Sequence, residues 1–323
     1  MILICFGTRP EWLKIKPILP HLDCKTFFTG QHEDLLKHLD FDYVSWWNTM
    51  GGNRLDDVIG SCMRSFPDDP EITSVLVQGD TASAFGCALA AFNRGLKVIH
   101  LEAGLRSNDL KNPYPEEGYR QMISRITDIH LCPTELSKTN LLKENCLGDI
   151  FVVGNTVLDN IVEFKDKISY ENKVLITLHR RENHEMIAEW FKAVDALAQK
   201  NPDIQFVLPI HPNPNVQKHR GLLKFVEVVD PMSHSDLIQF LSTCLCTITD
   251  SGGIQEEATF LSKKSIVCRS VTERPEAVNH LKLCPSPKDL EEVFDSVVND
   301  PIIKDPCPYG QGDSSHIIKR ILK

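Results

Sequence analysis

The stretch from Leu245 to Leu261 most constrains what this chain can fold into. Leu245-Cys-Thr-Ile-Thr249 is an apolar, β-branched run that reads as a buried strand ending at Asp250. Ser251-Gly252-Gly253 is a tight turn, and Ile254 to Leu261 has helical character. A strand that passes through a glycine turn into a helix is half of a parallel crossover, so a chain that repeats the pattern builds a parallel sheet covered by helices. The glycines let a ligand approach the backbone, and the free N–H groups at the new helix start favour an anion, phosphate above all. Ser251 can add a hydroxyl donor, Arg274 a guanidinium fork, and Glu257 an acceptor for ribose hydroxyls. The same residues also fit a Ser-capped helix behind a core strand, with Glu257 and Arg274 as surface charges.

The pattern recurs along the chain. Ile2 to Phe6 runs into Gly7-Thr8-Arg9-Pro10-Glu11 and a helix from Trp12 to Leu19, which leaves Arg9 and Lys14 able to face a ligand. Ile72 to Gln78 delivers Gly79-Asp80-Thr81, and Leu96 to Leu101 delivers Glu102, so two acids share the carboxyl rim of one sheet. Asp80 also suits the cap of the helix after it. Glu116 and Glu117, with Arg120, open a further helix, where acids commonly complement the dipole. Strands follow at Ile129 to Cys132 and Ile150 to Val153, the latter ending in Gly154-Asn155-Thr156. A second series starts with Val174 to Leu178, which terminates in His179-Arg-Arg-Glu-Asn183; His179 there is a phosphate ligand, a proton donor or a structural histidine. Helix Ile187 to Lys200, strand Ile204 to Pro209, His211-Pro-Asn-Pro-Asn-Val216, strand Phe225 to Val229 and helix Ser233 to Leu241 lead back to the opening stretch.

A chain of 323 residues exceeds one ordinary core. The polar stretch Phe164 to Lys173 reads as a linker, which divides the chain into Rossmann-like α/β domains at 1–163 and 164–307, followed by a terminal helical segment at 308–323. The expected class is α/β with two doubly wound domains facing a cleft. A net charge of −9 argues against a general nucleic-acid or anionic-membrane binder and points to a small partner held by a local cationic pocket. Met1 to Phe6 is too short for a signal or membrane segment, and no transmembrane run is present. The 11 cysteines are scattered through strand-like and helix-like runs without a C-x-x-C pair, which favours reduced core thiols in a cytoplasmic protein over disulfides or zinc.

Taken together, Gly7-Thr-Arg-Pro-Glu11, Gly79-Asp-Thr81, Glu102-Ala-Gly-Leu-Arg106, Pro115-Glu-Glu117, Gly154-Asn-Thr156, His179-Arg-Arg-Glu-Asn183, His211-Pro-Asn-Pro-Asn-Val216, Asp250-Ser-Gly-Gly-Ile-Gln-Glu-Glu257 and Thr272-Glu-Arg-Pro-Glu-Ala277 resemble the non-hydrolysing UDP-N-acetylglucosamine 2-epimerases. The resemblance implies the two-domain GT-B fold of one large glycosyltransferase class, a cytoplasmic homodimer and a terminal helix that crosses back to the first domain. It implies exchange of UDP-N-acetylglucosamine and UDP-N-acetylmannosamine, a supply step for polysaccharide biosynthesis, without a cofactor or metal. It carries catalytic roles to Asp80, Glu102, Glu116 and His179. It carries UDP and diphosphate binding to Arg9, Lys14, Ser251, Gly252, Gly253, Glu257 and Arg274. The chain departs from the family pattern by being short around Trp46 to Asp57, Phe164 to Lys173 and after Asn183. It also has Glu33 where arginine is common, and Leu237 where an aromatic often lies beside uracil. The rival readings are a 2-epimerase of a modified UDP-2-acetamido sugar (6-deoxy or uronic acid), a hydrolysing relative and a non-catalytic nucleotide-sugar sensor.

Overall fold

A computed structural model describes residues 1–32, 39–45, 52–180, 183, 185–270 and 275–323. The chain forms two compact units, Met1–Asn160 with Tyr309–Lys323, and Ile161–Pro308. Arg274, Arg181, Glu182, Glu33, Trp46 and Trp47 lie outside the described residues.

The first unit runs β1 (Ile2–Phe6), α1 (Arg9–Ile15), β2 (Cys24–Phe28), β3 (Tyr43–Val44), α2 (Arg54–Arg64), β4 (Ser74–Gln78), α3 (Ala82–Asn93), β5 (Lys97–Leu101), α4 (Glu116–Arg125), β6 (Ile129–Cys132), α5 (Glu135–Lys143) and β7 (Asp149–Val152). Among the described residues its sheet has seven parallel strands in the order β3-β2-β1-β4-β5-β6-β7. Side chains alternate across a strand, and both faces of this sheet are buried. Leu3, Cys5, Val75, Val77 and Val98 pack with Ala84, Cys87 and Ala88 of α3, while Ile2, Ile4, Phe6, Leu76 and Ile99 fill the other face. The small residues of α3 let that helix lie close to the sheet.

The second unit runs β8 (Lys173–Thr177), α6 (Ile187–Lys200), β9 (Gln205–Pro209), α7 (Pro214–Gln217), β10 (Glu227–Val229), α8 (His234–Thr243), β11 (Cys246–Thr249), α9 (Gly252–Phe260), β12 (Lys264–Val267), β13 (Leu281–Leu283) and α10 (Leu290–Val298). Its six described strands are parallel in the order β10-β9-β8-β11-β12-β13. Trp190 and Phe191 of α6, Phe206 of β9 and Phe294 of α10 anchor its core.

Helix α11 (Ser314–Ile321) belongs to the first unit. Ile318 is fully buried in that unit's core, and the Ser314 and Ser315 N–H groups donate to the Asp159 carboxylate at 3.1 and 2.7 Å. A carboxylate against the free N–H groups of a helix start is the favourable sense of the dipole.

The polar stretch read as a linker is packed onto the second unit. Phe164 is buried, the Ser169 N–H donates to the Ser242 carbonyl at 3.2 Å, and the Tyr170 hydroxyl donates to the Ser262 carbonyl at 2.9 Å. Lys263 Nζ donates to the Ser169 carbonyl and lies 3.7 Å from the Tyr170 ring centroid. Composition hides this, because two aromatics and a few backbone groups do the anchoring.

Candidate active site

In each unit the strand order reverses between two central strands, and the motifs found in the sequence follow those strands. An open α/β sheet leaves a crevice at that switch point, outside the carboxyl ends. In the first unit the pair is β1, followed by Arg9, and β4, followed by Asp80. In the second it is β8, followed by His179, and β11, followed by Asp250 and Ser251.

Glu102 follows β5, next to β4, and has φ 65°. That left-handed conformation is strained for a residue with a Cβ and is most often retained at functional sites. Its carboxylate accepts from Lys14 Nζ at 2.5 Å and from the Gln78 amide. Lys14, Glu102, Leu101, Pro133, Gly154, Asn155 and Thr156 line one small pocket.

Asp80 does not cap α3. Thr81 takes that position, accepting from the Ala84 N–H at 3.0 Å, which leaves the Asp80 carboxylate to pair with Arg120 Nε at 2.6 Å. Arg120 also donates to Glu117 at 3.2 Å. Glu117 is fully buried and accepts from the Ser107 N–H at 3.0 Å and the Gln121 amide at 2.9 Å. Burial works against the ionised form, but the Ser107 N–H, Gln121 and Arg120 outweigh it and hold the Glu117 carboxyl below its ordinary value. Its neighbour Glu116 differs: its Oε2 is buried without a hydrogen-bond partner. The two acids that sequence placed together in one helical turn therefore have separate situations.

His100 of β5 fixes the turn before Asp80. Its Nε2 lies 2.8 Å from the Gly79 carbonyl, so that nitrogen carries the proton, and burial pushes the ring down to about 3. An unfolded histidine takes a proton near 6.5, so the stability from the neutral ring is complete above that pH and lost below it. The expected loss is about 1.4 kcal/mol by pH 5.5 from this residue alone. Burial shifts His130 in the same direction. Urea titrations at pH 7.5 and 5.5 check this; His100→Gln, which cannot titrate, should show a smaller difference between the two.

In the second unit, Asp250 is fully buried and its carboxylate accepts from the His179 N–H at 3.0 Å, the Arg180 N–H at 2.9 Å and Asn183 Nδ2 at 2.9 Å. The loop after β8 is thus tied to the end of β11. The His179 ring stacks on His211, with centroids 5.0 Å apart and an interplanar angle of 5°. Ser251 precedes α9 but makes no side-chain cap, and a Cβ at Gly253 would meet no heavy atom within 4 Å. Glu257, one turn into α9, is buried and lies 2.7 Å from His234 Nε2 at the start of α8. Sequence reading did not find Asp250 and His234 as anchors, because each acts on a residue far away in the chain. Among the described residues no cluster of three or more His, Cys, Asp or Glu side chains is placed to hold a metal ion.

A family profile for UDP-N-acetylglucosamine 2-epimerase matches residues 19–323. The chain belongs to the UDP-N-acetylglucosamine 2-epimerase family. The enzyme of that name from Neisseria meningitidis serogroup A is 35% identical over 370 residues, covering 99% of this chain and 98% of the relative. A crystal structure of the N. meningitidis UDP-GlcNAc 2-epimerase bound to UDP-GlcNAc matches 99% of both chains with a TM-score of 0.86 and 33% identity. Acinetobacter baumannii MurG, 13% identical with a TM-score of 0.62 over 99% of this chain, shares the GT-B-type fold. Gly7 to Glu11 lies ahead of the span that the profile matches, but within the 99% of the chain that the N. meningitidis enzyme covers. No helix among the described residues is long and apolar enough to cross a membrane.

Proposed function

We propose that this protein is a non-hydrolysing 2-epimerase that interconverts UDP-N-acetylglucosamine and UDP-N-acetylmannosamine. The observation that carries the reading is the placement of Asp80 and Glu102 after adjacent parallel strands, each paired with a cation, in a chain of this family. Inversion at sugar carbon 2 needs a base for one face and an acid for the other, and carboxylates on one rim supply both.

One carboxylate among Asp80, Glu102 and Glu116 removes the carbon 2 proton. The electron pair forms the bond between carbons 1 and 2 as the carbon 1–oxygen bond breaks and UDP leaves. A protonated acid then returns a proton to the opposite face of the glycal, and the UDP oxygen adds back at carbon 1. Departure of the diphosphate needs positive charge and N–H donors where negative charge develops. Arg9, Lys14, Arg274, Ser251 and the α9 start at Gly252 and Gly253 fill that role, with His179 as a further phosphate ligand or proton donor and Glu257 on the ribose. Lys14, paired with Glu102 in the free chain, would be drawn toward the diphosphate and leave Glu102 a stronger base. The active form in this reading is a cytoplasmic homodimer, which sedimentation of the purified protein checks.

Gly253→Ala separates UDP binding from folding. Nothing in the protein resists the added methyl, and alanine in place of glycine in a helix gains about 0.5 kcal/mol. The variant should melt no lower than the parent yet bind UDP more weakly by about tenfold, which calorimetric titration reads as about 1.4 kcal/mol.

The reaction itself is tested by incubation with UDP-N-acetylglucosamine in heavy water, followed by proton NMR and mass analysis. Deuterium at carbon 2 with both intact UDP-sugars is the expected result. Free N-acetylmannosamine plus UDP would mean hydrolysis, and binding without exchange would move the assignment to a modified sugar or a sensor.

A further inference from the structure

Glu11 takes no part in the chemistry above, yet it sits at the centre of the first unit's switch point. Its side chain is 1% exposed, and both of its oxygens are occupied. Oε2 accepts from the Gly7 N–H at 3.0 Å, the Thr8 N–H at 2.7 Å and the Thr8 hydroxyl at 2.7 Å. Oε1 accepts from the Thr81 hydroxyl at 2.6 Å, across 70 residues of chain. That hydroxyl is oriented from its other side, because it accepts the Ala84 N–H as the cap of α3. The carboxylate therefore joins the turn after β1, which carries Arg9, to the turn after β4, which carries Asp80.

A capping box on α1 accounts for the Oε2 bonds but not for the rest. A box needs one oxygen, and an exposed glutamate serves it as well. Here burial pushes the carboxyl up, and hydrogen bonds from Thr81, Gly7 and Thr8 only partly oppose it. Gly7 is also confined: a Cβ there would come within 2.1 Å of Thr29 Oγ1 and 2.3 Å of Ser83 Oγ. The first turn is thus seated against β2 and α3 from one side and held by Glu11 from the other.

We infer that Glu11, through Thr81, is a positioning residue that sets Asp80 against the reacting sugar; this rests on the epimerase reading. A catalytic carboxylate misplaced by about 1 Å can lose about 100-fold in rate. Glutamine at position 11 can keep the bridge, since its carbonyl accepts from Gly7 and Thr8 while its amide donates to the Thr81 hydroxyl. Alanine cannot.

The test compares kcat, KM and UDP affinity in heavy-water exchange assays, with competent molecules counted by UDP titration. Thr81→Val should lower kcat by about 10- to 100-fold with UDP affinity unchanged, and Thr81→Ser should restore it. Glu11→Ala should lose at least as much, Glu11→Gln should retain most of the rate, and Glu11→Ala combined with Thr81→Val should be no worse than Glu11→Ala alone. A wild-type kcat per UDP-binding molecule in Thr81→Val, or additive losses in the double variant, would overturn the positioning role. Any effect confined to melting temperature would do the same. Absence of exchange by the unaltered protein overturns the epimerase reading instead, so the two failures are distinguishable.

Discussion

Glu116→Gln is expected to lose turnover by about 100- to 10,000-fold while binding UDP as the unaltered chain does and melting no lower. The expectation comes from the unpartnered Oε2 of Glu116. A buried acceptor without a hydrogen bond costs about 1–3 kcal/mol, so the folded chain gains nothing from keeping a carboxylate oxygen there. An amide of the same shape removes the acid–base function without removing any bond to that atom. A stable variant that binds but does not turn over would place Glu116 among the catalytic acids; full activity would take it out. Heavy-water exchange, UDP titration and thermal melting on one preparation give all three readouts.

Asp250→Ala should be damaging in both respects. It removes the acceptor of the His179 N–H, the Arg180 N–H and the Asn183 amide in a fully buried position. Leaving such donors without a partner should cost about 2–4 kcal/mol, read from the urea midpoint. The loop that presents His179 loses its tie to β11, so the fraction that remains folded should turn over about 100-fold more slowly. Asp250→Asn, which keeps one carbonyl oxygen for the backbone donors, should fall between the two. Equal stability of Asp250→Ala and the parent would show that water satisfies these donors and that the loop is held by other contacts.

The positions of most strands were legible because apolar runs such as Ile2 to Phe6 and Val174 to Leu178, the latter observed as Lys173–Thr177, are bounded by glycine or polar turns. Helix α6 was legible from Ile187 to Lys200 because its apolar face repeats at the helical period. Other boundaries moved for local reasons. Helix α1 begins at Arg9 instead of Trp12, since Thr8 and Glu11 form a capping box and Pro10 is favourable in a first turn. The strand read as Phe225 to Val229 narrows to Glu227–Val229, because the Lys224, Phe225 and Val226 N–H groups turn onto the Asp195 carboxylate. Strand β3 pairs over only two residues, and α2 went unassigned although Leu55, Val58, Ile59, Cys62 and Met63 repeat at the helical period and pack on one core.

For the candidate site, the sequence by itself determined which residues stand at the carboxyl ends of strands: Arg9, Asp80, Glu102, His179 and Asp250 are each one to three positions past an apolar run, and chain connectivity fixes that. It also determined family membership, through the order of those motifs. What only the tertiary structure decided is which of them are partnered and with what. Asp80 faces Arg120 because Thr81 occupies the helix cap, Glu102 meets Lys14 from a helix 88 residues earlier, and Glu116 is left with a bare oxygen while Glu117 is surrounded by donors. Such pairings depend on strand order, and strand order is set by packing between elements far apart in the chain, which no local spacing encodes.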